Sequence, residues 1–341
     1  MSAPQPRANP ILLGHAPAEA MLLDALRSGR MHHAWLITGP EGVGKATLAY
    51  CFARRLLAGI GAGEGLALDP SHPVFRRVSA GSHADLHTLE CTINPQTKRL
   101  RSEIAIDDVR AAADFLRRTP AEGGWRVVVV DRADELNRNA ANGLLKLLEE
   151  PPPRAILLLV CAAPGRLPGT VRSRCRRLRL AALSDPVMDE LLAGYLPDLP
   201  ADARGRLITL ADGSPGRALL LAQEDAIALS ALVDELLSEL PDLAPMRGHA
   251  IADKLGRGDG GFTTFMDLLR AALADAVRAA ARGHADPEQA RLVALRPLDA
   301  WGDVWHALTR LQDDTERFAL DKRHAILSGV ALLTAPAQSV Q

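Results

Sequence analysis

Residues 34–47 read AWLITGPEGVGKAT: a short apolar run, then Gly39, Gly42 and Gly44, then Lys45. From Gly39 to Lys45 the stretch fits the phosphate-loop pattern of Gly, four residues, then Gly-Lys. The apolar run before it predicts a buried strand, and Leu48 to Leu57 after it predicts a helix. Strand, glycine loop and helix in that order give the pattern its structural context. Backbone amides at such a helix start form a positive pocket for phosphate oxygens, and Lys45 adds a point charge. The eighth position departs from the pattern. A Ser or Thr hydroxyl there completes a magnesium shell, but the chain has Ala46, with Thr47 one place late. A hydroxyl at 47 leaves the helix about 100° round from one at 46.

The next buried strand downstream is Trp125-Arg126-Val127-Val128-Val129-Val130, ending in Asp131. A β-branched run that turns polar only at its end suits a strand covered on both faces of a parallel sheet. Asp131 stands where a magnesium-holding carboxylate is expected. The following residue, where hydrolysing members of the wider ATPase class carry a water-orienting acid, is Arg132. Asp134 and Glu135 lie in another register and read as a solvated helix start. A third strand, Ile156 to Val160, ends in Cys161-Ala162-Ala163, with no good hydrogen-bonding side chain to sense a terminal phosphate.

Between these strands, Leu12–Leu26 carries helical spacing, and 58–72 is a small-residue loop or insertion. Asp107 is expected to cap a helix over about 108–118, and a helix over about 137–150 ends at Pro151-Pro152-Pro153. Buried strands alternating with helices predict an α/β domain with a mainly parallel sheet. Beyond about 183 strand-like runs stop. Helical patterns broken near Gly213–Gly216 and at 241–248 predict a small helical domain over 181–240 and an all-α domain over 241–341, after an α/β domain over 1–180.

Bulk properties narrow the function. With 40 basic and 41 acidic residues the formal charge is −1, so no global basic field exists of the kind a stand-alone DNA binder shows. Cys51, Cys91, Cys161 and Cys175 share no CxxC spacing and read as reduced thiols of a cytosolic protein. No apolar stretch is long enough for a membrane span, and the polar, proline-bearing start reads as a loose tail.

Downstream lie Thr170-Val171-Arg172-Ser173-Arg174-Cys175-Arg176-Arg177 and, further on, LADGSPGRAL at 210–219. Together with HHAWLITGPEGVGKATLA (32–49) and NGLLKLLEEPP (142–152), these stretches resemble bacterial clamp-loader subunits of the replicative DNA polymerase, members of the AAA+ superfamily. The Asp131-Arg132 pair and the altered third strand end are most similar to the delta-prime branch of DNA polymerase III. Specific motifs carry the resemblance over about 8–220. It is weaker over the helical C-terminal third, including LDKRHAILSGVALL (320–333).

The resemblance implies a RecA-like fold for the α/β domain, a lid role for the helical domain at 181–240, and a stator role for the chain. In the family, the Arg of the Ser-Arg-Cys motif reaches as an arginine finger into the nucleotide site of an adjacent ATPase subunit, and Arg174 matches it. Arg217 matches a position that approaches nucleotide from the lid, while Asn9-Pro10 and Leu13-Gly14-His15 match the segment near the adenine. Partners implied are the tau/gamma ATPase subunits, the delta subunit, the sliding clamp and, through the complex, primed DNA. The C-terminal helical domains form a collar in the family, so the Trp301/Trp305 stripe reads as core or subunit interface. Relatives carry a four-cysteine zinc module after the phosphate-loop helix. This chain lacks it, and His72, His83 and His87 do not have zinc spacing, so no zinc is expected. Gly39, Gly42, Gly44, Lys45, Thr47, Asp131 and Arg217 remain a candidate nucleotide site, able to hold ATP or ADP without hydrolysing it. Two rivals stand beside this reading: a self-sufficient ATPase using the intact loop, and a nucleic-acid binder using the five arginines at 172–179.

Overall fold

The computed structural model describes residues 4–59, 63–91, 101, 103–122, 124–223, 226–256 and 261–335. Residues 60–62 of the expected 58–72 loop and the first three residues of the tail lie outside the described residues. The chain divides into two compact units, Met1–Leu219 and Leu220–Gln341.

The first unit holds one five-stranded sheet: β1 (Ala34–Thr38), β2 (Leu86–Leu89), β3 (Arg126–Val130), β4 (Ala155–Cys161) and β5 (Arg176–Arg179). Every pairing is parallel, in the order β2-β3-β4-β1-β5. The strand that feeds the glycine loop therefore lies inside the sheet. β3 and β4 are buried at every residue, and apart from Arg126 at the start of β3 they are the unbroken apolar runs that a strand covered on both faces requires.

Its helices are α1 (Ala16–Arg27), α2 (Lys45–Ala58), α3 (Pro73–Ser79), α4 (Ile106–Arg117), α5 (Arg138–Glu149), α6 (Gly169–Ser173), α7 (Asp185–Tyr195), α8 (Ala201–Ala211) and the start of α9 (Pro215–Gln223). The period-two alternation of the strands divides the core. Ala34, Leu36, Val128, Val130, Leu157 and Leu159 face Val109, Leu116, Leu144 and Leu148 of α4 and α5. On α2, Phe52 meets Trp35 edge-on, with ring centroids 6.4 Å apart. Burying each large side chain contributes about 1.5–3 kcal/mol, so the sheet holds the loop on a stiff support.

Two edge strands escape sequence reading. β2 and β5 are each four residues long, and β5 reads as a basic run because Arg176, Arg177 and Arg179 are exposed and only Leu178 is buried. Charged residues on a sheet edge oppose further strand pairing. A correction concerns α4. Its N-cap is Ala105, not Asp107, because the Asp108 carboxylate reaches back to accept the Ala105 amide at 2.9 Å. Asp107 is exposed and paired with Arg110 at 2.8 Å.

The second unit comprises the end of α9, α10 (Ala226–Ser238), α11 (Pro245–Gly256), α12 (Gly261–Ala281), α13 (Pro287–Val293), α14 (Leu298–Arg317) and α15 (Lys322–Thr334). No strand occurs after Arg179 among the described residues. Of the α14 stripe, Trp301 and Leu308 are core residues, Trp305 is half-buried, and the Arg296 guanidinium lies 4.6 Å over the Trp301 ring. No described helix is long and apolar enough to cross a membrane.

Candidate functional site

The glycine loop turns between β1 and α2 with Gly42 at φ 73° and Gly44 at φ 104°, conformations that favour glycine. From Gly42 to Thr47 the loop lines a cavity of about 360 Å³ inside the first unit. Contacts on two flanks fix its outer side. His15 Nε2 lies 2.8 Å from the Val43 carbonyl. On the other flank the start of α9 and Ser214 just before it lie directly on the loop. Gly216 donates its amide to the Gly42 carbonyl at 2.9 Å, and Ser214 Oγ donates to the Glu41 carbonyl at 2.8 Å. A Cβ on Gly216 would stand 2.8 Å from Gly42 Cα, so only glycine permits this approach.

Lys45 is buried at the cavity wall. Its Nζ donates to the carbonyls of Gly39 at 2.9 Å and Pro40 at 2.6 Å. Burial lowers its pKa, and the carboxylates of Glu41, Asp134 and Asp131 oppose that shift. Ala46 and Thr47 both line the cavity.

The acidic turn after β3 faces the loop. Burial pushes the Asp131 carboxyl up, Glu90 adds to it, and Arg132 pulls it back. Arg132 sits at φ 61° with Nε 2.8 Å from Glu135 Oε1 and Nη2 3.9 Å from Glu41 Oε1. Asp134 and Glu135 are not a solvated helix start. They form a 3-10 turn whose side chains point to fixed partners. The Asp134 carboxylate accepts the amides of Ala162 at 3.3 Å and Ala163 at 3.1 Å, at the end of β4. Glu135 accepts from Cys91 Sγ at 3.1 Å. The thiols of Cys91 and Cys161 are pushed up to about 12, chiefly by burial, with Glu135 and Asp134 respectively adding to it.

At its other end the cavity is lined by Ile11, Leu12, Leu13, Leu191, Tyr195 and Leu219. Asn9 is buried and exchanges hydrogen bonds with the Tyr195 hydroxyl at 2.9 and 3.2 Å. Arg54 of α2 holds this segment. It is 1% exposed and donates to the carbonyls of Arg7 at 2.8 Å and Asn9 at 2.7 Å, with its guanidinium 4.4 Å over Phe75. A cleft with backbone amides and cations at one end and apolar side chains at the other matches the two halves of a nucleotide.

The side chains do not fit a magnesium ion as they fit phosphate. Ala46 offers no oxygen, Asp134 and Glu135 are engaged, and the Asp131 carboxylate accepts the Arg132 backbone amide and is flanked by the charge of Arg132. Among the described residues no three His, Cys, Asp or Glu are grouped to hold a metal ion. His72 caps α3 by accepting the Val74 amide, His83 accepts the Asp85 amide, and His87 stacks on Phe115.

Of the residues expected from sequence, Gly42, Gly44, Lys45, Thr47 and Asp131 come together on the cavity wall. Gly39 contributes its carbonyl to Lys45. Arg217 is exposed and lies outside that wall, where Pro215 and Gly216 stand instead. Arg174 is elsewhere, at the C-terminal end of α6. Its Nη2 is 2.7 Å from Glu149 Oε1, Nη1 donates to the Thr170 carbonyl at 3.0 Å, and the side chain is 37% exposed. It is held at the surface, not in the core. Sequence reading passes over Arg54 and Tyr195 and takes Asp134 for a helix-start acid. Arg54 sits in an ordinary, largely apolar helical stretch, and Asp134 in an acidic stretch that resembles a solvated helix start.

A family model described as "DNA polymerase III, delta subunit" matches residues 14–184. The DNA polymerase III subunit delta′ of Pseudomonas aeruginosa is 37% identical over 183 residues, which cover 54% of this chain and 53% of that protein. The delta′ subunit of Escherichia coli is 34% identical over 214 residues, covering 60% and 58%. The tau/gamma subunit of Haemophilus influenzae is 31% identical over 214 residues, covering 61% and 29%. The chain thus spans about half the length of the delta′ relatives it matches. The family match takes in the phosphate loop, the acidic turn and the Ser-Arg-Cys motif, across half of the sequence, and the chain belongs to this DNA polymerase III delta-subunit family.

Proposed function

We propose that this chain is a clamp-loader subunit of the delta′ type. It acts in the cytoplasm as a stator that does not hydrolyse ATP but lends Arg174 to the nucleotide site of a neighbouring tau/gamma-type subunit. The partners in this reading are the ATPase subunits and a delta subunit in one ring, the sliding clamp, and primed DNA reached through the complex. The ring loads the clamp, the partner subunits hydrolyse ATP, and the polymerase core performs nucleotidyl transfer. The helical residues beyond 241 serve the collar, and 181–240 the lid.

The observation that carries this reading is the replacement of the water-orienting acid by Arg132, whose guanidinium is tied to Glu135 beside Asp131. A cation cannot take a proton from water, so the site lacks its general base. The surface placement of Arg174 adds support. Among the described residues its carboxylate partner is the half-exposed Glu149, and such a pair is worth about 0–1 kcal/mol. It can be exchanged for a phosphate at small cost. A guanidinium supplied in trans stabilises the transferring phosphoryl and is worth about 10³–10⁵ in rate.

The cavity at 42–47 is read as a nucleotide pocket that holds ATP or ADP without turnover. The intact loop also suits a self-sufficient ATPase, and one experiment separates the two. The ring is reconstituted with partner subunits using wild type or Arg174→Ala, and the DNA-stimulated ATPase rate is measured beside that of the isolated chain. Normal assembly with a rate lowered by about 10³-fold or more, and no turnover by the chain alone, is expected. Robust hydrolysis by the isolated chain, or an unchanged rate with Arg174→Ala, overturns the reading.

A further inference from the structure

Two cations stand at the phosphate end of the cavity. Lys45 Nζ is held by loop carbonyls, and the Arg132 guanidinium bridges toward Glu41 on the loop and Glu135 on the turn. Both residues line the cavity. The Glu41 carboxylate is 3.9 Å from Arg132 and its side chain is 83% exposed, so this partner is displaceable. In a nucleotide site magnesium neutralises phosphate oxygens and is anchored by a loop hydroxyl and a strand-end carboxylate. Here the hydroxyl is missing at Ala46, and a fixed positive charge follows the carboxylate directly. A divalent ion at Asp131 would meet Arg132 as a like charge. A phosphate meets it as a partner, and guanidinium geometry suits two phosphate oxygens at once.

We propose that this pocket binds the polyphosphate of a nucleotide without a divalent cation, with Arg132 and Lys45 supplying the countercharge that magnesium supplies elsewhere. The proposal rests on the nucleotide-pocket reading above. Entering phosphate displaces Glu41 from Arg132 and draws Lys45 from the carbonyls of Gly39 and Pro40. The ligand class is a nucleoside di- or triphosphate, its base lying against the apolar end beside Tyr195. Bound in this way it is a structural ligand, because neither a metal nor a base is present to promote hydrolysis.

The test uses the full chain with ADP and with ATP as probes, by calorimetric titration and by ligand-induced shift of the melting temperature, in magnesium and in EDTA. Affinities in the two buffers are expected to agree within about twofold. Arg132→Gln is expected to weaken binding about tenfold or more in both, the equivalent of one lost charge-assisted hydrogen bond. Glu41→Gln, which removes the competitor for Arg132, is expected to tighten binding by about threefold, an effect that damage to the fold does not produce. Ala46→Ser with Arg132→Glu is expected to make binding depend on magnesium. Affinity that falls tenfold or more on removing magnesium from the wild type overturns the metal-free proposal and leaves the pocket reading intact, as does a folded Arg132→Gln chain that binds normally. No nucleotide binding in either buffer overturns both.

Discussion

The phosphate loop at 39–47 and the acidic turn at 131–135 face the same cavity, but they are made of different material. The loop is a backbone structure. Its function depends on amide directions, which depend on φ at Gly42 and Gly44 and on a neighbour, Gly216, that leaves room for it. The turn is a side-chain structure. Its backbone needs little, and its chemistry depends on which acids follow Val130. The loop keeps all three glycines and Lys45, whereas the turn keeps Asp131 and replaces the next acid with Arg132. Side chains of the turn can therefore change without disturbing the fold, while the loop is tied to the structure packed against it. If that contrast holds, substitutions in the loop should act mainly on stability and those in the turn mainly on local chemistry.

The largest expected effect is in the loop. Gly42→Ala places a Cβ 2.4 Å from Ser214 Oγ and 3.0 Å from the Arg217 amide nitrogen, at a φ of 73°. Left-handed strain of about 1–2 kcal/mol adds to overpacking of about 1–3 kcal/mol. Denaturant unfolding of the full chain should show a midpoint lowered accordingly. Gly205→Ala in α8, where nothing lies within 4 Å of the added methyl, is the internal control. It should stabilise by about 0.5–1 kcal/mol. Equal effects at the two glycines would break the comparison.

In the turn, Asp134→Ala removes the acceptor for the amides of Ala162 and Ala163. Water reaches this edge, so the loss should be about 1 kcal/mol, again read from the unfolding midpoint. A loss as large as that of Gly42→Ala would mean that the turn, too, holds the fold.

The same division explains what the sequence reveals. Backbone requirements leave a signature, because only glycine serves at Gly42 and Gly44, and only an unbroken apolar run serves for β3 and β4. The parallel sheet, the loop and the helical second unit are all legible from such patterns. Contacts made by side chains across long separations leave none. Arg54 lies in an ordinary helical stretch, and nothing near it says that its guanidinium is buried on the carbonyls of Arg7 and Asn9. Asp134 reads as a helix-start acid, and its true partners are 28 and 29 residues away. The missing acid after Asp131 is legible, but the engagement of Arg132 by Glu41 and Glu135 is not. β5 is obscured for another reason: an edge strand with exposed arginines lacks the alternation that marks a strand.

Acid should weaken the loop side before the turn. Burial holds the pKa of His15, His33, His83 and His87 below the ordinary imidazole value of 6.5. The unfolded chain then binds more protons than the folded one below that value, and stability falls as pH falls. The melting temperature should be steady from about pH 8 to 7 and decline below about 6.5. Because His15 supports the Val43 carbonyl, His15→Gln should make the decline shallower. An unchanged slope would remove the loop from the acid response.

The smallest effect on stability belongs to Glu135→Gln. The carboxylate pairs with the exposed Arg132, which is worth about 0–1 kcal/mol, and accepts from the Cys91 thiol. The melting temperature should barely move. The chemistry at Cys91 should move. Its pKa is pushed up to about 12 by burial first, then by the hydrogen bond to Glu135 and by that group's charge. The amide in Glu135→Gln removes the charge and weakens the acceptor, so the thiolate becomes easier to form. Alkylation requires the thiolate, and its rate at a fixed pH near 8 rises about tenfold for each unit the pKa falls. Faster labelling of Cys91, set against an unchanged rate in Gly205→Ala, is the expected result. If Glu135→Gln instead lowers the melting temperature as Gly42→Ala does and leaves Cys91 unreactive, the carboxylate serves the fold and not the local field. The turn would then belong with the loop, as structure that chemistry has borrowed.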